Sequence, residues 1–273
     1  MASPSRVVLL TGASGGIGRV MTEALLADGH RVAAVDRNVA ALERLRAEAS
    51  APDRLHTIMA HIDREHGCRM AIEETCRRFG TIEAVINNAG IGMSAIRPDA
   101  EARHPGIEEL APDVWDSFFN IFVRTPATLT RAAVPRMRER GFGRIVNNTT
   151  SYLTMLRVLP YGAAKAALES MSAVWAKEFE GGPITVNVLV PGGPTDTPLI
   201  NDASGWDRGK MLQPQIMGPP IRWLISDAAA AFNGQRITAA RWDAKLAPAE
   251  AARRASRAIG WPELSADAVW LTG

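Results

Sequence analysis

Cysteine is scarce in this 273-residue chain, and the two present, Cys68 and Cys76, fall in one predicted helix. Eight positions along a helix is about 12 Å, beyond the reach of a disulfide. With no disulfide framework, a reduced, cytoplasmic setting is expected. The five histidines are scattered and no Cys/His set has zinc spacing, so no metal is expected. The formal net charge is only +2 and the basic residues are dispersed, which argues against a nucleic-acid partner. The one Arg-rich run, Arg253, Arg254 and Arg257, reads as a solvated helix face. Long apolar runs are missing too. The opening Val7-Val8-Leu9-Leu10 is too short for a signal segment, and nothing approaches a membrane span.

What is present is 47% hydrophobic and 22% charged residues, enough for one large core. Short apolar runs alternate with helical patterns. Strands are predicted from Arg6 to Leu10, His30 to Val35, Leu55 to Ile62 and Ala84 to Asn87, with helices from Arg19, Val39 and Arg64 between them. Later come a strand over Arg144 to Asn148, a helix from Tyr161, another from Ile221, and a last strand over Arg236 to Ala240. Strand-helix alternation with continuously apolar strands predicts an α/β fold, a doubly wound parallel sheet flanked by helices on both faces. A single domain is expected to fill residues 1–273.

Two stretches carry chemistry. Thr11-Gly-Ala-Ser-Gly-Gly-Ile-Gly18 lies between a strand and a helix, where glycines let backbone approach a phosphate and the helix start offers free N–H groups. About 20 residues on, Asp36 ends the second strand, where a carboxylate can accept bonds from the ribose hydroxyls of a dinucleotide. It would repel a 2′-phosphate, so NAD is favoured over NADP; Arg37 beside it keeps NADP as the alternative. Further on, Tyr161 and Lys165 stand four apart on one helix face. An ammonium beside a phenol is expected to lower its pKa and make it a proton carrier.

These motifs, with Asn87-Asn88-Ala89-Gly90, Asn120 and Pro191-Gly192, occur in the order and spacing of the short-chain dehydrogenase/reductase family, which the chain resembles from about Arg6 to Gly234. The resemblance implies a Rossmann-type fold and reversible hydride transfer between a nicotinamide cofactor and a small-molecule carbonyl or secondary alcohol. It implies Asn120, Thr150, Tyr161 and Lys165 as the catalytic set, with Tyr161 the acid or base and Lys165 also on the nicotinamide ribose. It implies cofactor contacts from Gly12, Ser14, Gly16, Ile17, Gly18, Asp36, Arg37, His61, Ile62, Asn88, Ala89, Gly90, Tyr161, Lys165, Pro191, Gly192 and Thr195. A homodimer or homotetramer is expected.

The chain departs from the family pattern in several places. The position of the usual catalytic serine, thirteen residues before the tyrosine, is Asn148, within the strand; aligning the strand puts Thr150 there instead, with Ser151 as the neighbouring candidate. His61 stands where an aspartate commonly meets adenine, and Ile62 follows it. A long turn-rich insertion from Ile91 to Gly106 offers Met93, Ser94, Ile96 and Arg97 as a border to the substrate. The extra Gly193 leaves both Thr195 and Thr197 open as contacts of the nicotinamide carboxamide. From about 193 to 220, Trp206, Met211, Leu212, Ile216 and Met217 suit an apolar lid over a hydrophobic substrate. A tail over about 244–273, with Trp261 and Trp270, suits docking on its own surface or on a neighbouring subunit. The altered serine and His61 also motivate a second reading, a catalytically silent NAD(H)-binding sensor or scaffold.

Overall fold

The computed structural model describes residues 4–265. Along the chain run β1 (Val7–Thr11), α1 (Gly16–Ala27), β2 (Arg31–Asp36), α2 (Val39–Glu48), β3 (Leu55–Met59), α3 (Glu65–Phe79) and β4 (Ala84–Asn87). Next are α4 (Pro112–Phe119), a π-helical turn (Asn120–Arg124), α5 (Thr125–Arg140), β5 (Gly143–Asn148), α6 (Tyr152–Met155), α7 (Tyr161–Glu178) and β6 (Ile184–Val190). The chain ends through α8 (Gly218–Ile225), β7 (Gln235–Thr238), α9 (Pro248–Ala255), β8 (Ser256–Ala258) and α10 (Pro262–Ser265).

The eight strands form one sheet in the order β3-β2-β1-β4-β5-β6-β7-β8, parallel throughout except for β8, which runs antiparallel to β7. Alternate strand residues serve opposite faces. Val7 and Leu9 pack with the helices α3, α5 and α7, whereas Val8 and Leu10 pack with α1 and α8. Both faces are covered, which is why these strands read as unbroken apolar runs. Strand order reverses between β1 and β4, and the crevice outside their carboxyl ends is where a doubly wound sheet receives its ligand.

Several boundaries differ from the sequence reading. β3 stops at Met59, so His61 and Ile62 lie beyond it. α1 starts at Gly16, inside the glycine run, three residues earlier than expected. Arg257 lies in β8 rather than on a helix, because the open edge of β7 offers backbone partners to the segment after α9. Trp261 packs on the chain's own Tyr152, ring centroids 5.8 Å apart; Trp270 lies outside the described residues. Among the described residues no helix is long and apolar enough to cross a membrane, and no acidic, His or Cys group could hold a metal.

Candidate active site

The carboxyl end of β1 is tied to that of β4 by the Thr11 hydroxyl. It donates to Ile86 O and accepts from the Asn88 and Ala89 N–H groups at 3.0 and 3.1 Å. Asn88 Nδ2 returns bonds to Thr11 O and Gly12 O. Asn88 therefore shapes the floor of the glycine turn. Gly15 caps α1 without a side-chain bond, leaving the N–H groups of the first turn free for an anion. The turn closes so tightly that a Cβ at Gly18 would sit 1.9 Å from Gly12 O. Ile17 packs into the core beside it and holds the turn down.

At the end of β2, Asp36 Oδ2 accepts from Ser14 N and Oγ at 3.2 and 2.7 Å, and Oδ1 accepts from Asn38 N. Those bonds fix the carboxylate beside the turn. Arg37, next to it, is exposed. The free helix start, the close-packed turn and the oriented carboxylate together fit the diphosphate and ribose of a dinucleotide. His61 is exposed beyond β3, while Ile62 is in the core and its carbonyl accepts from Thr125 Oγ1.

The second half of the site forms at β5 and α7. Tyr161 and Lys165 share one face of α7, as their spacing predicts. The Phe122 ring lies edge-on to Tyr161 at 5.2 Å and carries the Lys165 ammonium 4.2 Å above its centroid, while also abutting Gly90. Phe118 closes in at 6.5 Å. Lys165 is 4% exposed and its Nζ donates to Asn148 O at 2.6 Å. Beside these aromatic walls the electrostatics run against the simple expectation of a lowered phenol. Burial pushes the Tyr161 phenol up to about 12, partly offset by a side-chain hydrogen bond with Thr150. Burial likewise pushes the Lys165 ammonium down to about 7. Loss of hydration disfavours both charged forms, and the lysine alone does not outweigh it.

Thr150 and Ser151 separate by role. Ser151 caps α6, its Oγ accepting from Thr154 N at 3.1 Å and meeting Thr154 Oγ1 at 2.8 Å. Thr150 has no such cap to make, and its side chain acts to lower the Tyr161 pKa. Asn120 opens the π-helical turn between α4 and α5. Pro191 and Gly192 follow β6, and the Pro191 carbonyl accepts from Ala240 N.

Of the two threonines beyond them, Thr195 donates to Gly193 O and takes part in a bridge with Leu212. Thr197 is the one that touches the glycine turn, its Cγ2 lying 2.6 Å from where a Gly16 Cβ would stand. The lid segment is held by Arg208, which donates to Asp196 Oδ1, Asp202 Oδ1 and Ile200 O. Met217 and Ile216 turn into the core instead of toward a substrate. In the insertion, Met93 is core, Ile96 packs against it and Ser94 N donates to Glu101. Arg97 is committed to Arg103 O and Asp99 within its own loop.

Sequence reading missed a polar cluster directly beneath Thr150. Glu169 and Arg236 pair at 2.6 Å with side chains 0% and 6% exposed, joined by Thr149 and Tyr152. The available signal was that Glu169 extends the Tyr161, Lys165 stripe by one more turn.

Residues 6–208 match the family model described as short chain dehydrogenase. A 3-oxoacyl-[acyl-carrier-protein] reductase of Thermotoga maritima is 27% identical, covering 87% of this chain and 97% of its own. A D-threitol dehydrogenase of Mycolicibacterium smegmatis is 29% identical, covering 84% and 89%. Among solved structures, a 3-ketoacyl-(acyl-carrier-protein) reductase of Brucella melitensis complexed with NADH superposes with a TM-score of 0.71 at 26% identity, covering 84% of this chain and 93% of that one. These relatives are oxidoreductases, and none supports a catalytically silent sensor. The chain belongs to the short-chain dehydrogenase/reductase family, NAD(P)-dependent enzymes that interconvert alcohols and carbonyl compounds by hydride transfer.

Proposed function

We propose that this single-domain enzyme uses NAD(H) to interconvert a secondary alcohol and a ketone, with Tyr161 as the proton donor and acceptor. The observation that carries the reading is that Tyr161 and Lys165 lie on one face of α7 against the Phe122 ring, which also abuts Gly90. The bound dinucleotide supplies or accepts the hydride, and this chain's residues do the rest. With its pKa near 12, Tyr161 holds its proton at neutral pH and can deliver it to a carbonyl oxygen as that oxygen becomes negative. Thr150 donates a second hydrogen bond to the same oxygen. In the alcohol direction the phenolate, stabilised by a protonated Lys165, takes the hydroxyl proton and returns to the phenol.

Gly12, Gly16, Gly18, Asn88, Ala89, Gly90 and Thr197 would hold the cofactor's phosphates and adjoining ribose, with Ser14 steadying Asp36. Asp36 supports NAD over NADP, since its carboxylate is already oriented by Ser14 and Asn38 beside the turn. A hydrophobic ketone is supported by Leu153 on α6, Leu156 just after it and Trp206 in the lid, all of which stand exposed. A homodimer or homotetramer belongs to the same reading.

The test measures NADH and NADPH oxidation with a panel of ketones and aldehydes, and NADH binding by fluorescence, in wild type and Tyr161→Phe. NADH should be preferred, and Tyr161→Phe should lower kcat roughly 1,000-fold while leaving NADH affinity nearly unchanged. Retained turnover in Tyr161→Phe would overturn the assignment.

A further inference from the structure

Where β5 ends, three consecutive residues are each held from below. Asn148 O accepts from Lys165 Nζ at 2.6 Å. The Thr149 hydroxyl donates to Glu169 Oε2 at 2.7 Å and accepts from Arg236 Nη1 at 2.9 Å. Thr150 O accepts from Arg236 Nη2. Arg236 Nη1 also reaches Glu169 Oε2 at 2.6 Å, so a single guanidinium on β7 fixes both threonines and the acid of α7. Its plane lies over the Tyr152 ring, 4.3 Å from the centroid.

The segment after β8 completes the cluster. Tyr152 Oη donates to Gly260 O at 2.8 Å and lies 3.3 Å from Glu169 Oε1, which also accepts from Gly260 N at 3.4 Å. Trp261 covers the outer side of Tyr152. Residues from α7, β7, the β5 exit, α6 and the C-terminal segment thus meet in one buried polar knot.

We infer that Glu169, Arg236 and Tyr152, with Gly260 of the C-terminal segment, are positioning residues that aim the Thr150 hydroxyl at the reaction centre. The inference rests on the reading of Thr150 given above. A threonine side chain has one stiff torsion, so its hydroxyl goes where its backbone sends it. Here the carbonyl before Thr149 and the carbonyl of Thr150 are both pinned, and the Thr149 side chain is locked between them. Successive side chains on extended backbone leave on opposite sides. With Thr149 committed to the Glu169–Arg236 pair, Thr150 is turned toward Tyr161.

A contribution to stability alone explains the cluster poorly. Burying an ion pair costs desolvation that its attraction roughly repays, and an apolar pair of equal volume would hold α7 to β7 as well. An apolar pair could not hold a carbonyl and a hydroxyl at fixed points. The planar fork of Arg236 can do so, and a lysine cannot span the same acceptors.

Because the knot acts through one hydroxyl, its effect should disappear when that hydroxyl is removed, and a double-mutant cycle can detect this. Tyr152→Phe keeps the ring beneath Arg236 and deletes only the hydroxyl bonds; Arg236→Lys keeps the charge. Each is made alone and together with Thr150→Ala. Initial rates are taken with saturating NADH and the fastest ketone of the panel, alongside NADH affinity and melting temperature. A misplaced group of this kind should lower kcat roughly 10-fold in each single variant, with NADH affinity unchanged. In the Thr150→Ala background the same substitutions should cost nothing further. Losses that multiply with Thr150→Ala, or melting temperatures that fall while kcat holds, would overturn the inference. Tyr152→Phe keeps the test valid if Arg236→Lys does not fold. Should Thr150→Ala itself leave kcat intact, the reading of Thr150 fails first and the inference falls with it.

Discussion

Lys165 sits in the interior with a backbone carbonyl and an aromatic face for company, and among the described residues no carboxylate pairs with it. Its ammonium is pushed from 10.5 down to about 7 by burial. Between those two values the unfolded chain binds a proton that the folded one lacks, so folding stability must rise with pH across that window. The penalty is complete below about pH 7 and gone above about 10.5. From pH 7 to 9 the wild type should gain roughly 2 kcal/mol relative to Lys165→Met, in which the titrating group is absent. Urea unfolding of both proteins at several pH values checks this, and parallel curves would refute it. The Tyr161 and Lys165 pair was legible because helical period alone places residues four apart on one face. Glu169, four further on, was not. Spacing cannot say whether an acid on a stripe faces water or an arginine brought in from β7. Nor could spacing show that the Ser151 hydroxyl is engaged in capping the short helix α6.

The glycine run and the helix it opens show what an element adds to its residues. Sequence placed the helix start at Arg19, but α1 begins at Gly16, so the free N–H groups fall within the glycine turn, where a phosphate would be met. The glycines of this run are not equivalent. An alanine at Gly15 would meet only Gly12 O, at an ordinary 3.6 Å. At Gly18 the added carbon would meet that same oxygen at 1.9 Å, and backbone cannot step aside. Gly15→Ala should therefore bind NADH within about threefold of wild type, whereas Gly18→Ala should lose roughly 100-fold or more in affinity. Fluorescence titration with NADH decides it, and equal losses in the two variants would count against the turn as the phosphate cradle. The segment from about 193 to 220 was legible as irregular chain but not in its packing. Its apolar residues suggested a cover for substrate, yet Met217 and Ile216 anchor it to the core and Arg208 latches its turns. The Thr195–Leu212 bridge folds the same segment back on itself.

At the scale of the whole molecule, alternation of apolar strands with helices disclosed the parallel sheet, since both of its faces are buried. The eighth strand had no such signature. Ser256-Arg257-Ala258 has no apolar pattern, and it becomes a strand because β7 would otherwise end the sheet with unpaired backbone. This addition has two structural consequences. β8 takes up the open edge of β7, so a second copy cannot pair with β7 itself. It also delivers Gly260 and Trp261 to Tyr152. Arg257 lies opposite Arg236 in the middle of this ladder, where proline would remove a donor and push the strand away. Arg257→Pro should therefore do two things at once. It should expose the β7 edge, seen as concentration-dependent association by light scattering, and it should lower kcat by freeing the Thr150 turn, with NADH affinity retained. Association with full kcat would separate the edge from the reaction centre and leave β8 a purely protective strand.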